Sequence, residues 1–283
     1  DRNVAATSVP LDIAPILRED LFKRAETAVV TSATLATGER FDFLAERLGL
    51  DEPEVEPVTA IFPSPFDYAS QALLVIPADV PAPNVDAAAH SRAVIQIVRD
   101  MAAAADGGLF VLFTSHRDVR ATAAALRESG VEGRWPLLVH GDDTRDSLLR
   151  RFRESGRAIL IGTASFWEGV DVAGSALRGI VLGRLPFRVP TEPLTAARCE
   201  AIEEQGGDSF RDFMLPHAAL RLKQGFGRLI RSTTDRGVVT LCDPRVLTKA
   251  YGRALLATLP PARRVVGRWG EVRREVELFF EGW

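Results

Sequence analysis

The sequence predicts an α/β fold, a mostly parallel sheet covered by helices on both faces. Three observations predict it. Six short apolar runs alternate with amphipathic stretches of helical length, which implies crossover connections between parallel strands. The runs are apolar rather than strictly alternating, as strands buried on both faces are. Small, hydroxyl-bearing and charged residues gather just after several runs, where parallel sheets bind their ligands.

Residues 1–26 hold Ser8-Val-Pro-Leu-Asp-Ile-Ala-Pro and an amphipathic stretch to Glu26 that reads as a short helix. Ala28-Val-Val-Thr-Ser-Ala-Thr-Leu is β-rich and apolar and ends in small hydroxyl residues, which predicts a buried strand and the loop at its carboxyl end. A helix over about 39–48 follows, and the Pro- and Glu-rich passage 51–65 is the candidate domain boundary. Strands are then predicted over 72–76, 109–113, 137–140, 158–162, 179–183 and 238–242. Between and after them the apolar spacing predicts helices over 85–105, 117–129, 144–154, 192–205, 210–230 and 245–256.

Composition narrows the function. The 283 residues are enough for one large or two ordinary domains, and 46% hydrophobic with 26% charged residues is an ordinary globular balance. A net charge of −3 argues against gripping nucleic acid by bulk positive potential, so any such contact must be local. Cys199 and Cys242 are far apart and lack cysteine or histidine at metal spacing, so no disulfide framework or metal cluster is expected and a reducing, cytoplasmic setting fits. No apolar run approaches the ~20 residues that span a bilayer. The opening Asp1-Arg-Asn-Val is neither a signal peptide nor a natural start, and a fragment of a longer chain is expected.

The stretch Gln224-Gly-Phe-Gly-Arg-Leu-Ile-Arg places Arg228 and Arg231 three residues apart. In a helix continuing from Pro216-His-Ala-Ala-Leu-Arg-Leu-Lys they would share one face and reach one anion. Guanidinium groups fork onto phosphate oxygens, so a triphosphate is the natural candidate; a solvated helix face is the plainer reading. In Phe113-Thr-Ser-His, Thr114 and Ser115 bring hydroxyls and N–H groups to a strand end that opens a helix, which suits a phosphate, unless Ser115 only caps that helix. In Gly162-Thr-Ala-Ser-Phe-Trp-Glu-Gly-Val-Asp, small residues admit close approach of a ligand. There Glu168 and Asp171 are either partners for ribose hydroxyls or arginines, or a solvated side chain and a helix cap. Phe166 and Trp167 read as packing residues, Arg184-Leu-Pro-Phe-Arg-Val-Pro as a structural turn, and Asp243 with Arg245 as a local salt bridge. His116 and His140 lie at strand ends without metal spacing and receive no role.

Taken in order, Thr31-Ser-Ala-Thr-Leu, Leu112-Phe-Thr-Ser, the stretch from Gly162 to Asp171 and that from Gln224 to Arg231 resemble motifs III, IV, V and VI of XPD/DinG-like superfamily 2 DNA helicases. Arg184-Leu-Pro-Phe and Tyr251-Gly-Arg resemble the DinG branch. The resemblance implies a RecA-like second helicase domain, of the P-loop NTPase type, over 61–283, preceded over 1–60 by the end of a first RecA-like domain and a linker. It implies Arg231 as the arginine finger, Arg228 as its companion on the phosphates and Gln224 as an orienting residue. Gly169, Glu168 and Asp171 would face the nucleotide; Thr114, Ser115 and Thr163 would contact the backbone of single-stranded DNA; Ser32 and Thr34 would couple the two domains. ATP and Mg2+, 5′ to 3′ polarity and a DNA repair role come with the family. Two departures matter. The sequence contains no Gly-x-x-x-x-Gly-Lys-[Ser/Thr] and no Asp-Glu-x-His or Asp-Glu-x-Asp, so ATP and magnesium should be held mainly by the first domain, and this chain alone should be inactive. Two cysteines cannot hold the iron–sulfur cluster of many relatives, which would lie outside this chain. A non-catalytic RecA-like module that binds single-stranded nucleic acid or a partner is the alternative.

Overall fold

The computed structural model describes residues 8–32, 35–36, 40–51, 57–163, 166 and 176–282. In chain order the helices are α1 (Ala14–Leu17), α2 (Asp42–Leu48), α3 (Tyr68–Gln71), α4 (Ala87–Ala105), α5 (His116–Glu128), α6 (Arg145–Ser155), α7 (Pro193–Glu204), α8 (Leu215–Phe226), α9 (Arg245–Thr248), α10 (Ala250–Ala257) and α11 (Trp269–Glu281). The strands are β1 (Ala72–Pro77), β2 (Leu109–Phe113), β3 (Leu137–Val139), β4 (Ile159–Thr163), β5 (Gly179–Leu182), β6 (Gly237–Leu241) and β7 (Arg263–Gly267). The chain divides into two compact units, Asp1–Pro63 with Phe187–Leu220, and Ser64–Pro186 with Arg221–Trp283.

The second unit is built on one seven-stranded, all-parallel sheet in the order β3-β4-β2-β5-β6-β1-β7. Every residue of β1, β2, β4, β5 and β6 is buried, as expected of strands covered on both faces. The core on one face packs Val94, Ile97, Val98 and Met101 of α4 and Val119, Ala123 and Leu126 of α5 against the sheet, with Val272 and Val276 of α11 closing it. These residues recur at three- and four-residue spacing, the buried stripe of an amphipathic helix. Side chains fix where the helices start: Asp86 accepts from Ala89 N at 2.8 Å, Ser115 from Asp118 N at 3.1 Å and Thr144 from Ser147 N at 3.4 Å.

The first unit is helical among its described residues. α1 runs on into a wider π-type turn over Arg18–Phe22. α2 ends at Gly49 in the left-handed region (φ 71°), where a Cβ would come within 2.7 Å of the Ala14 carbonyl oxygen, so glycine lets α2 close on α1. His217 meets Phe43 and Phe213 edge-on at 5.3 and 4.8 Å, and the Arg47 guanidinium lies 5.5 and 5.8 Å from the same two rings. Burial, then the charges of Arg198 and Arg188, pulls the Arg47 pKa below its ordinary value.

Three expectations need correction. The run after Ala28 is not a buried strand: residues 27–32 have no regular structure, and Val29 and Val30 are 81% and 46% exposed. A strand exists through its neighbours, and every described strand belongs to the sheet of the other unit. The helix expected over 210–230 opens as a π-type turn (Phe210–Met214) and stops at Phe226, where Gly225 and Gly227 each cost about 1 kcal/mol of helix propensity. The helix expected over 245–256 breaks at Lys249, which is extended (φ −103°, ψ 145°). The structure also adds β7 and α11 beyond the six expected strands.

Candidate functional site

Strands β2 and β4 pair with Phe113 opposite Thr163, which brings Thr114 and Ser115 beside Thr163 at the carboxyl ends of two adjacent strands. The Ser115 oxygen accepts the Asp118 N–H, so the helix cap that the sequence offers as the alternative is present, while the hydroxyl hydrogen is not used in that bond. Thr163 approaches His140 twice, its hydroxyl 3.0 Å and its N–H 3.5 Å from Nδ1. Both approaches suit a ring nitrogen acting as acceptor, in a neutral ring with its proton on Nε2. Burial, and next the neighbouring His116, lowers the His140 pKa. The two imidazoles lie 4.6 Å apart, and Phe166 packs against His140 at 4.8 Å, the packing role read from the sequence. The sequence assigns His140 no role, because a lone histidine at a strand end carries no spacing signal; its engagement with Thr163 is visible only across strands.

One strand further, Arg184 Nε stands 3.4 Å from an Asp118 carboxylate oxygen, which joins the turn after β5 to the first turn of α5. Asp243, fully buried after β6, accepts the Leu185 N–H at 3.0 Å and the Arg245 fork at 2.9 Å on Oδ1 and 2.6 Å on Oδ2. Burial pushes the Asp243 pKa up, but Arg245 and the Leu185 N–H outweigh it and hold the carboxyl below its ordinary value. The salt bridge read from the sequence is therefore a tie between two strand ends.

Gln224 lies in the last turn of α8, whereas Arg228 and Arg231 follow its end and do not share a helix face. Arg231 instead opens a turn closed by Asp235, whose Oδ2 accepts the N–H groups of Arg231 (2.8 Å) and Ser232 (2.9 Å). Burial lowers the Arg231 pKa, and the Asp235 charge offsets part of that. This turn leads into the amino end of β6, the end opposite to Thr114, Ser115 and Thr163, so the sequence motifs occupy both edges of the sheet rather than the carboxyl edge alone. Ser32 is exposed. Thr34, Glu168, Gly169 and Asp171 lie outside the described residues.

A parallel seven-stranded sheet in this order, with helices on its faces, is a RecA-like fold. The apo structure of XPD shares the fold at a TM-score of 0.55 and 16% identity, over 70% of this chain and 40% of that one. The family model described as helicase C-terminal domain matches residues 98–262. The chain is 38% identical to the ATP-dependent DNA helicase YoaA of Escherichia coli (strain K12) over 263 residues, which is 93% of this chain and 40% of YoaA. It is 39% identical to the ATP-dependent helicase DinG of Mycobacterium tuberculosis (strain H37Rv) over 259 residues, 89% of this chain and 37% of DinG. The chain thus belongs to the helicase C-terminal domain family, in its XPD/DinG-like branch, and spans about two fifths of the length of these curated relatives. Among the described residues, no helix is long and apolar enough to cross a membrane.

Proposed function

We propose that the chain is the carboxy-terminal motor domain of a cytoplasmic, ATP-dependent DNA helicase with 5′ to 3′ polarity and a role in DNA repair. The family match over residues 98–262 carries this reading. In it, residues 1–60 end the first RecA-like domain and its linker, and 61–283 form the second domain. Arg231 is the finger that meets the transferring phosphoryl group, Arg228 its companion and Gln224 an orienting residue. A planar guanidinium that can fork onto phosphate oxygens is how the residues present fit ATP. ATP and Mg2+ would be held mainly by the first domain, because this sequence has neither Gly-x-x-x-x-Gly-Lys-[Ser/Thr] nor Asp-Glu-x-His or Asp-Glu-x-Asp. Gly169, Glu168 and Asp171 face the nucleotide, and Ser32 and Thr34 couple the domains. Thr114, Ser115 and Thr163 contact the single-stranded DNA backbone, Thr163 exchanging its bond to His140 for a phosphate.

The test uses the full-length protein. Arg231→Ala should lower DNA-stimulated ATP turnover roughly a thousandfold or more and leave DNA binding without nucleotide intact, because a finger acts at the transition state. Arg231→Lys should restore little, since an ammonium lacks the planar fork. Turnover at the original rate in the lysine variant would remove Arg231 from that role. A non-catalytic binding module would instead show no ATP turnover even with the full-length protein.

A further inference from the structure

Gln71, at the end of α3 and immediately before β1, is 6% exposed. Its Nε2 donates both hydrogens to main-chain carbonyls far along the chain, to Ser232 O at 2.8 Å and Asp235 O at 2.7 Å. Those two carbonyls bracket the turn that Arg231 opens. Inside the turn, Asp235 Oδ2 holds the Arg231 and Ser232 N–H groups, and Ser232 Oγ accepts from Asp235 N at 3.1 Å and Thr234 N at 3.3 Å. A buried amide with two donors aimed at two carbonyls is a rigid brace, since losing it leaves both carbonyls without those bonds in a place short of water. The ring of Tyr68, one turn earlier in α3, stands 6.2 Å from Phe226, the last residue of α8, so α3 fixes the segment at both of its ends. Leu229 and Ile230, buried at 3% and 1%, anchor the stretch between.

We propose that the turn braced by Gln71 is the positioning device for Arg231, with Gln71 and Asp235 acting as positioning residues that set where the guanidinium can reach. The inference rests on the reading of Arg231 as an arginine finger. The backbone N–H of Arg231 is tied to Asp235, Asp235 is tied through its own carbonyl to Gln71, and Gln71 sits at the root of β1, a strand paired on both sides, so the side chain projects from a fixed frame rather than a loose connection. Misplacing a reacting group by about 1 Å can cost about a hundredfold in rate while barely altering ground-state binding.

The experiment measures DNA-stimulated ATP turnover of the full-length protein in native and Arg231→Ala backgrounds, each with Gln71→Met, which keeps length and removes both donors. Gln71→Met should lower kcat about 10- to 100-fold with the KM for ATP and DNA affinity nearly unchanged, and should have no further effect when Arg231 is alanine. An equal loss in both backgrounds would show a structural role only, and no loss in the native background would likewise overturn the proposal. Should Gln71→Met fail to fold, Asp235→Asn decides by the same comparison, because it keeps the shape of the turn and weakens its hold on the Arg231 N–H. If Arg231→Ala itself turns over normally, the finger reading fails, and that outcome is distinct from failure of the brace.

Discussion

Asp243 shows how much a single carboxylate can hold together in this molecule. It is fully buried, satisfies the Leu185 N–H and is forked by Arg245, whose side chain is 23% exposed. Asp243→Ala should destabilise the chain by about 3–5 kcal/mol, because it leaves a half-buried guanidinium without its counter-charge, and urea unfolding would measure the loss. His140 contributes a pH dependence of definite sign. Its folded-state pKa lies below the ordinary 6.5, so the unfolded chain takes up the proton first and stability falls as pH drops below about 6.5. His140→Gln should flatten the stability profile in that window; an unchanged slope would mean another group titrates there. Residue-level legibility was uneven. Asp243 and Arg245 sit two apart, so their pairing could be read directly, whereas Gln71 lies among Tyr68-Ala-Ser and Ala72-Leu-Leu, with no pattern to mark a contact made more than 150 residues away.

At the scale of elements, Ser115 has two assignments that one substitution separates. Ser115→Ala should cost about 1 kcal/mol of stability through loss of the α5 cap, and, where the hydroxyl also meets a phosphate, a further weakening of DNA binding when both are titrated. α9 and α10 meet at Gly252, where a Cβ would fall 1.9 Å from the Val246 carbonyl oxygen, so Gly252→Ala should force the pair apart and lower the thermal midpoint. The six strands of the sequence reading were legible because buried parallel strands are unbroken apolar runs. β7 was not, because Arg263-Arg-Val-Val-Gly is an edge strand with both arginines exposed and too little apolar content to stand out. α11 did carry a signal, Val272, Val276, Phe279 and Phe280 at helical spacing. The expected strand after Ala28 failed for the reverse reason: its composition is right, but no described strand lies in its unit to pair with it. Gly225 and Gly227, at about 1 kcal/mol of helix propensity each, oppose the apolar periodicity that carries the expected helix to residue 230.

For the chain as a whole, the net charge of −3 separates two ways in which the proposed DNA contact could be made. Contacts made mainly by neutral hydroxyls and N–H groups neutralise few phosphates, so log affinity against log salt should have a shallow slope of about −1 to −2 in a fluorescent oligonucleotide titration. Thr163→Val should cost on the order of 1 kcal/mol of that binding. A slope near about −5 with Thr163→Val unchanged would place the DNA on a basic patch instead. The strand order also has a consequence for how the protein is made. β1 is the first strand of the sheet to leave a ribosome, yet its two neighbours, β6 and β7, are the last. An apolar strand with both edges unpaired must therefore wait through the synthesis of nearly the whole unit, a state prone to wrong association. The nascent chain is most in need of chaperone protection in that interval, and a ribosome stalled before Arg263 would release a sheet whose opening strand still lacks one of its two partners.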